Sequence, residues 1–283
     1  MKRAFACFLT FASLAALPAA AASLRSIENG IDVWYTRGDG TTFVKFDKDP
    51  IPKGFFCSKS AEFTGLVVLQ GRPLATGIPG ELGGADTIVQ RLDDAEFGPN
   101  GEATTRIQLK ALQLESVAPI KTACGDFQVR VTLSGTQPTT KMRIIKDKAT
   151  SGRYVAPLKV RYKVSFVPTD GTSAKSFELV RSFTLAPAEN ATWGAVEKGR
   201  FASRAATLVV DTDGDQVPDT YLPKSSGNFQ AGWSLTRDRQ RQSRAAQKFL
   251  QQYDVPIDQC SYSETPDCHP EAAGIHCALP CAM

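Results

Sequence analysis

The feature that most constrains this chain is a succession of short runs of β-branched and aromatic residues between Ile31 and about Leu185, separated by Gly, Pro, Asp and Asn. Such runs are typical of β-strands bounded by turns, and nothing among them has the length or period of a helix. Many short strands without intervening helices predict an all-β fold, an antiparallel β-sandwich built as one large or two small units. The predicted strands are Ile31 to Thr36, Thr41 to Phe46, Phe63 to Leu69, Thr87 to Leu92, Thr104 to Leu114, Phe127 to Leu133, Lys141 to Ile145, Leu158 to Val167 and Phe177 to Leu185.

The alternation inside these runs indicates strands with one buried and one solvated face. In residues 127–133 every second residue is apolar, whereas Gln128, Arg130 and Thr132 occupy the opposite face. A period of two is that of a half-buried antiparallel strand. The turn residues at 37–40 (RGDG) and 169–172 (TDGT) predict hairpins between the runs that flank them.

The length of 283 residues and the 42% hydrophobic content predict one or two domains with a substantial core. We divide the chain into a β-rich module at 23–138 and a second module, or a continuation of the first, at 139–206. An Asp-rich loop region follows at 207–233. Ser234 to Tyr253 then has the pattern of a helix, within a segment that we bound at 234–255, and a Cys-rich tail occupies 256–283.

The charge balance argues against a polyanionic partner. The chain has 33 Lys and Arg against 29 Asp and Glu, a net charge of +4, which provides no global basic field for nucleic acid. Five cations lie between Arg237 and Lys248, but a run of this kind in a helix is usually its solvated face. Nucleic acid is therefore not a favoured partner.

The first 22 residues have the pattern of a secretory signal peptide. A basic start at 1–3 is followed by an apolar run at 4–17 and by small residues at 18–22, where a signal peptidase cleaves. The apolar run is too short to be a permanent transmembrane helix, and no later segment is longer and as apolar. We expect a protein without a transmembrane segment that is secreted, either to the periplasm or to the extracellular space.

Removal of the leader takes one of the seven cysteines, Cys7, and leaves an even number. In an oxidising compartment an even set predicts disulfide bonds. The simplest pairing joins Cys57 to Cys124 and leaves the four tail cysteines to pair among themselves; these are Cys260, Cys268, Cys277 and Cys281.

The tail also contains the only two histidines, His269 and His276, each adjacent to a cysteine. Thiolate and imidazole groups are natural ligands of zinc or copper, so the tail is an alternative metal site. No cysteine pair has the spacing of a zinc knuckle, and secreted thiols are generally oxidised. Two disulfides with surface histidines are the preferred interpretation.

The most specific chemical motif is the loop 211–219, which reads DTDGDQVPD and follows an apolar run. Alternate aspartates at Asp211, Asp213 and Asp215 place three hard oxygen ligands around one point. The carbonyl of Val217 is a candidate fourth ligand, and Asp219 a fifth, directly or through water. Ca²⁺ suits such an all-oxygen cage, whereas the alternative is a solvated acidic turn.

These nine residues resemble the calcium loops of thrombospondin type 3 repeats, which they match at four aspartates and at Gly214. The resemblance implies a structural calcium ion that fixes the junction between the β region and the C-terminal helix. Two positions depart from calcium loops: Leu222 stands where an acid usually occupies the twelfth position, and Gln216 replaces the sixth-position glycine of the EF-hand.

Catalytic motifs are weak in this sequence. Both histidines lie in the tail, and no Gly-x-Ser-x-Gly motif is present, so a Ser/His/Asp triad has no support. We expect a non-catalytic binding or surface-associated protein for an extracellular carbohydrate or protein, with Trp34, Trp193 and Trp233 as a carbohydrate platform if they are exposed. The alternatives are a secreted hydrolase that uses dispersed carboxylates in a cleft and a metal-handling protein that uses the tail.

Overall fold

A computed structural model describes residues 24–38, 40, 42–170, 177–185, 191–194, 207–223, 230–233 and 244–253. Most of these residues lie in strands, which confirms the all-β prediction. One helix, α1, spans Arg244–Gln252. The strands are β1 Ser26–Ile27, β2 Gly30–Trp34, β3 Phe43–Lys45, β4 Leu66–Gly71, β5 Thr87–Arg91, β6 Ala95–Glu96, β7 Glu102–Ser116, β8 Ile120–Thr122, β9 Gly125–Leu133, β10 Thr139–Lys148, β11 Ser151–Val155, β12 Leu158–Pro168, β13 Phe177–Leu185, β14 Ala191–Gly194, β15 Thr207–Val210, β16 Thr220–Pro223 and β17 Gln230–Trp233.

The long strand β7 organises a single curled antiparallel sheet of 13 strands. Its first part pairs with β10 on one side and β5 on the other, whereas its last residues pair with β9 and β4. From β10 the sheet continues through β11 and β14 to β17, and from β9 through β12 to β13. The sheet therefore runs without interruption across residue 138, where the sequence suggests a module boundary.

A β-bulge in β7 changes the face that its residues present. Before the bulge, the odd-numbered residues Ile107 and Leu109 face the large core inside the sheet. After it, the even-numbered residues Leu112 and Leu114 face that core. The pairing with β5 is irregular at this point, and Ala111 faces the opposite side of the sheet. An extra residue increases local bending and twist, so the bulge helps the sheet to curl.

The main core fills the inside of the curl, and a second core lies on the outside of β2, β5 and β7. The hairpin β15–β16 covers this second core with Leu208, Val210 and Leu222, all buried. Full burial of an aliphatic side chain contributes roughly 1.5–3 kcal/mol. These contacts attach the hairpin to the sheet and so position the loop at its tip.

All nine predicted strands overlap strands of the structure, but one predicted hairpin is wrong. The runs on either side of residues 37–40 do not pair, because β2 pairs with β5 and β3 pairs with β4. Turn residues determine where the chain bends, not which strand becomes its partner. The second predicted hairpin, around residues 169–172, joins β12 to β13, which pair in register over their length.

The C-terminal part of the predicted helix segment 234–255 corresponds to α1, and residues 234–243 lie outside the described part of the chain. Phe249 and Leu250 of α1 are buried in the main core, with Tyr253 packed beside them. Across the described ranges, no helix has both the length and the apolar character needed to cross a membrane.

The predicted disulfide between Cys57 and Cys124 is present, with the two Cα atoms 5.9 Å apart. It connects the segment between β3 and β4 to the segment between β8 and β9. The four tail cysteines, both histidines and residues 1–22, where a signal peptide is predicted, lie outside the described residues.

Candidate metal centre

The Asp loop, residues 211–219, closes the hairpin β15–β16. The last pair of the hairpin is Val210 with Thr220, so the nine residues between them form the connection. The N–H of Asp211 donates to the carbonyl of Ala75 at 2.9 Å, and the N–H of Asp219 donates to the carbonyl of Val210 at 3.2 Å. Both ends of the loop are thus held by backbone hydrogen bonds.

Asp211 is the buried centre of the loop, with no exposed surface. Its Oδ1 accepts the N–H of Gly214 at 2.7 Å, and its Oδ2 accepts the N–H of Gln216 at 2.8 Å. The same Oδ2 accepts a hydrogen bond from Nε2 of Gln113 in β7, also at 2.8 Å. A buried carboxylate requires such donors, because an unpaired one is strongly destabilising. The loop is therefore folded around this side chain.

The structure brings Asp213 and Asp215 to Asp211, as the alternate spacing predicts. One carboxylate oxygen from each of the three lies within 4.8 Å of the others, and the two later aspartates are exposed. Oδ1 of Asp213 accepts the N–H of Asp215 at 3.1 Å, and Oδ1 of Asp215 accepts the N–H of Val217 at 2.7 Å. Within the described ranges no other group of His, Cys, Asp or Glu side chains meets this criterion. Three convergent carboxylates suit a hard divalent cation.

Asp219 is not part of this group. Its Oδ1 instead accepts hydrogen bonds from the N–H and the Oγ1 of Thr212, at 3.3 and 3.2 Å. This contact holds the start of the loop to its end. Leu222, at the twelfth position, is buried in the second core, so that position serves packing of the hairpin and offers no ligand.

Two residues of the loop have a positive φ angle. Gly214 has φ +89°, and a Cβ at this position would lie 2.5 Å from Cγ2 of Thr132 in β9, so only glycine fits. Gln216 has φ +73°, the one non-glycine residue with positive φ in the described chain. The Gln216 backbone thus adopts the left-handed conformation that the EF-hand assigns to glycine at the sixth position.

The side chain of Gln216 explains why glutamine is accepted here. Its Nε2 donates to Oε1 of Gln113 at 2.9 Å, which joins the loop to β7. Gln113 and Thr132 are the residues of this site that the sequence did not predict. Both are polar positions in otherwise alternating strands, and no local signal connects them to a loop some 80 to 100 residues away. The contact arises from the packing of the hairpin on the sheet.

Two other carboxylates have strongly perturbed protonation. Burial raises the pKa of Asp86 to about 6, against hydrogen bonds from Thr87 and Thr36 that lower it. Burial also raises the pKa of Asp32 to about 6 and outweighs the attraction of Arg91, whose Nε lies 3.1 Å from Asp32 Oδ2. Both carboxylates are buried among structural partners, so neither lies on an exposed cleft surface.

Neither of the two tryptophan side chains that the structure describes contributes to an exposed platform. Trp34 and Trp193 are both buried in the main core, and Nε1 of Trp193 donates to the carbonyl of Ile145. The side chain of Trp233 lies outside the described part of the structure. Apolar packing inside the curl accounts for the two described side chains.

The chain matches no protein-family model, and comparison with curated proteins and with solved structures finds no significant similarity.

Proposed function

We propose that this protein is a secreted or periplasmic, non-catalytic binding or surface-associated module whose Asp loop holds a structural Ca²⁺ ion. One observation carries the calcium proposal: Asp211, Asp213 and Asp215 converge, with Asp211 buried and held by three donors. Backbone and Gln113 donors orient the carboxylates before an ion arrives, which lowers the ordering cost of binding.

The position of the loop supports a structural role for the ion. The hairpin bearing the loop packs on the second core, and Gln113 and Thr132 connect the loop to β7 and β9. A cation there would neutralise three carboxylates and stiffen the contact between hairpin and sheet. Val217 remains a candidate ligand through its backbone carbonyl. Asp219 remains a candidate ligand through a bridging water molecule.

The binding role rests on less specific features. We propose a carbohydrate or a protein as the extracellular ligand. We also propose that the curled sheet is organised as a β-sandwich around its core. The buried Asp32 and Asp86 give little support to the alternative of a hydrolase with dispersed carboxylates. The alternative of a metal-handling protein rests on the tail, whose cysteines and histidines lie outside the described residues.

The calcium proposal is tested by isothermal titration of the mature protein with CaCl₂ after chelation, together with thermal unfolding in EDTA and in excess Ca²⁺. We expect one saturable site and a higher Tm with Ca²⁺, because an ion that binds only the folded state stabilises it. Asp213→Ala should abolish both effects. Asp126→Ala, which removes another exposed aspartate, is the matched control.

A native chain without saturable calcium binding, or an Asp213→Ala variant that binds as well as the native chain, would show that the loop is a solvated acidic turn. Mass spectrometry of the same sample distinguishes the tail alternative, since bound zinc or copper with free thiols would make metal handling the leading function.

A further inference from the structure

The outer face of the sheet beside the Asp loop contains a group of polar side chains on neighbouring strands, arranged in two rows across the strands, which we call the polar grid. Because partner residues of paired strands share a face, one row contains Gln70 of β4, Glu115 of β7 and Arg130 of β9. The next row contains Gln113 and its partner Thr132. Arg72, whose N–H donates to the carbonyl of Gln113 at 2.9 Å, extends this row on the other side.

Arg72 and Arg130 thus lie on opposite sides of β7, at diagonal positions of the polar grid. Strand spacing and rise place their Cα atoms about 12 Å apart. Both are partly buried. Burial and the repulsion by the nearby Arg130 charge lower the pKa of Arg72.

Neither guanidinium has a hydrogen bond or an ion pair within the described part of the chain, and Nε of Arg130 is buried without a partner. Four other arginines of the sheet differ in this respect. Arg91, Arg106, Arg143 and Arg153 each pair with a carboxylate. Glu115 uses its Oε1 to accept the amide of Gln70, and Asp211 is engaged by Gln113 and the loop backbone.

Two partly buried guanidinium groups on one face of the sheet, without a hydrogen bond or ion pair to any described residue, suit the binding of an oxyanion. Each planar fork offers two parallel N–H groups to a carboxylate, sulfate or phosphate, and an anion relieves the repulsion between the two cations. We propose that Arg72 and Arg130 together form a binding site for the oxyanion group of a ligand. The proposal does not depend on calcium at the neighbouring loop.

The loop nevertheless adds a second expectation. Glu115 and Asp211 both attract Arg72 and so compete with an anion. Neutralisation of the three aspartates of the loop by a cation would remove the competition from Asp211 and strengthen anion binding.

The test is isothermal titration of the mature chain with sodium sulfate, sodium phosphate or sodium acetate at constant ionic strength, in EDTA. The three salts distinguish tetrahedral from carboxylate ligands. We expect saturable binding of at least one anion, weakened at least about tenfold by Arg72→Gln and by Arg130→Gln. Arg161→Gln is the matched control, because Arg161 lies on the same face, is exposed and stands about 13 Å along the sheet from Arg130.

Circular dichroism checks that each variant folds. If a glutamine variant does not fold, Arg72→Lys and Arg130→Lys replace it, since lysine keeps the charge but loses the fork and should weaken binding by a smaller factor. The proposal is overturned if the native chain binds none of the three anions saturably. It is also overturned if the arginine variants bind like the native chain, or if Arg161→Gln weakens binding as much as they do.

Discussion

Nε2 of Gln113 lies 2.8 Å from Oδ2 of Asp211, although 98 residues separate the two along the chain. Gln113 is almost completely buried in the middle of β7, and Asp211 is the first residue after β15. The amide also accepts a hydrogen bond from Gln216, so one side chain of the sheet holds both the first and the sixth residue of the Asp loop. The geometry of the candidate metal centre depends on a residue outside it.

Replacement of Gln113 by leucine should therefore destabilise the protein. It removes three side-chain hydrogen bonds and deprives the buried Asp211 carboxylate of one of its donors, at a cost of about 1–3 kcal/mol in the free energy of unfolding. Urea unfolding measures this loss. Gln90→Leu is the control, because Gln90 is a half-buried glutamine of β5 without a side-chain hydrogen bond in the described structure. Equal effects of the two substitutions would contradict the anchoring role.

The positive φ of Gln216 predicts an unusual order of stability among variants. Alanine and glycine both remove the side-chain bond to Gln113, but alanine keeps the unfavourable left-handed backbone. We expect Gln216→Gly to be about 1 kcal/mol more stable than Gln216→Ala. Thermal or urea unfolding of the two variants gives the difference. At an ordinary helical or extended position alanine would be the more stable, and that outcome would refute the assigned conformation.

Asp86 predicts that stability decreases as the pH rises. Its pKa is about 6 in the folded protein against 3.8 for the free side chain, so the folded state holds the proton more tightly. Its contribution to the free energy of unfolding is complete below the pKa of the unfolded chain. This contribution, about 3 kcal/mol in total, is lost as the pH rises through the pKa of the folded state. Urea unfolding between about pH 4 and about pH 7 measures this slope.

Asp86→Asn should remove part of that slope, since asparagine does not titrate. Stability should still decrease somewhat as the pH rises, because burial also raises the pKa of Asp32 to about 6. A variant with an unchanged slope would show that Asp86 is ionised in the folded protein throughout this range.

Loss of the arginine should lower the stability of the protein much more at a buried ion pair of the sheet than at an exposed one. Arg91 and Asp32 are each 1% exposed, so Arg91→Met would leave a buried carboxylate uncompensated, at a cost of about 3–5 kcal/mol. Arg106 and Asp93 are 59% and 41% exposed, and Arg106→Met should cause little measurable loss although that N–O distance is shorter.

Chemical denaturation of both variants and of Arg91→Met combined with Asp32→Asn tests this contrast. The double variant should regain much of the stability, because it no longer buries an unpaired charge. If Arg91→Met alone were as stable as the native chain, the pair would not be buried as described.

The disulfide closes a loop with a sequence separation of 67 residues, which in the chain-entropy model stabilises the folded state by about 4 kcal/mol. The double variant Cys57→Ser, Cys124→Ser should lower the free energy of unfolding by about this amount without creating an unpaired thiol. Mass spectrometry after thiol alkylation verifies the bond in the native chain. A double variant as stable as the oxidised native protein would argue against this pairing.

Much of the candidate metal centre is predictable from the sequence, because its aspartates are neighbours. The spacing of Asp211, Asp213 and Asp215 brings their carboxylates together through local backbone geometry, as the structure shows. Asp219 lies outside the triad, and its Oδ1 accepts two hydrogen bonds from Thr212. Gln216 is held from inside the loop by Asp211, which accepts its N–H, and from outside the loop by Gln113, which accepts its side-chain amide.

The sequence by itself determines that this chain forms strands and where most of them lie, since a period of two and turn residues are local properties. Only the tertiary structure decides which strands pair, because the energy of pairing comes from residues far apart in the chain. This is why β2 pairs with β5, and why the bulge after Leu109 reverses the face of β7. The positions of Arg72 and Arg130 have the same origin, because β7 contacts Arg72 on one side and pairs with the strand of Arg130 on the other.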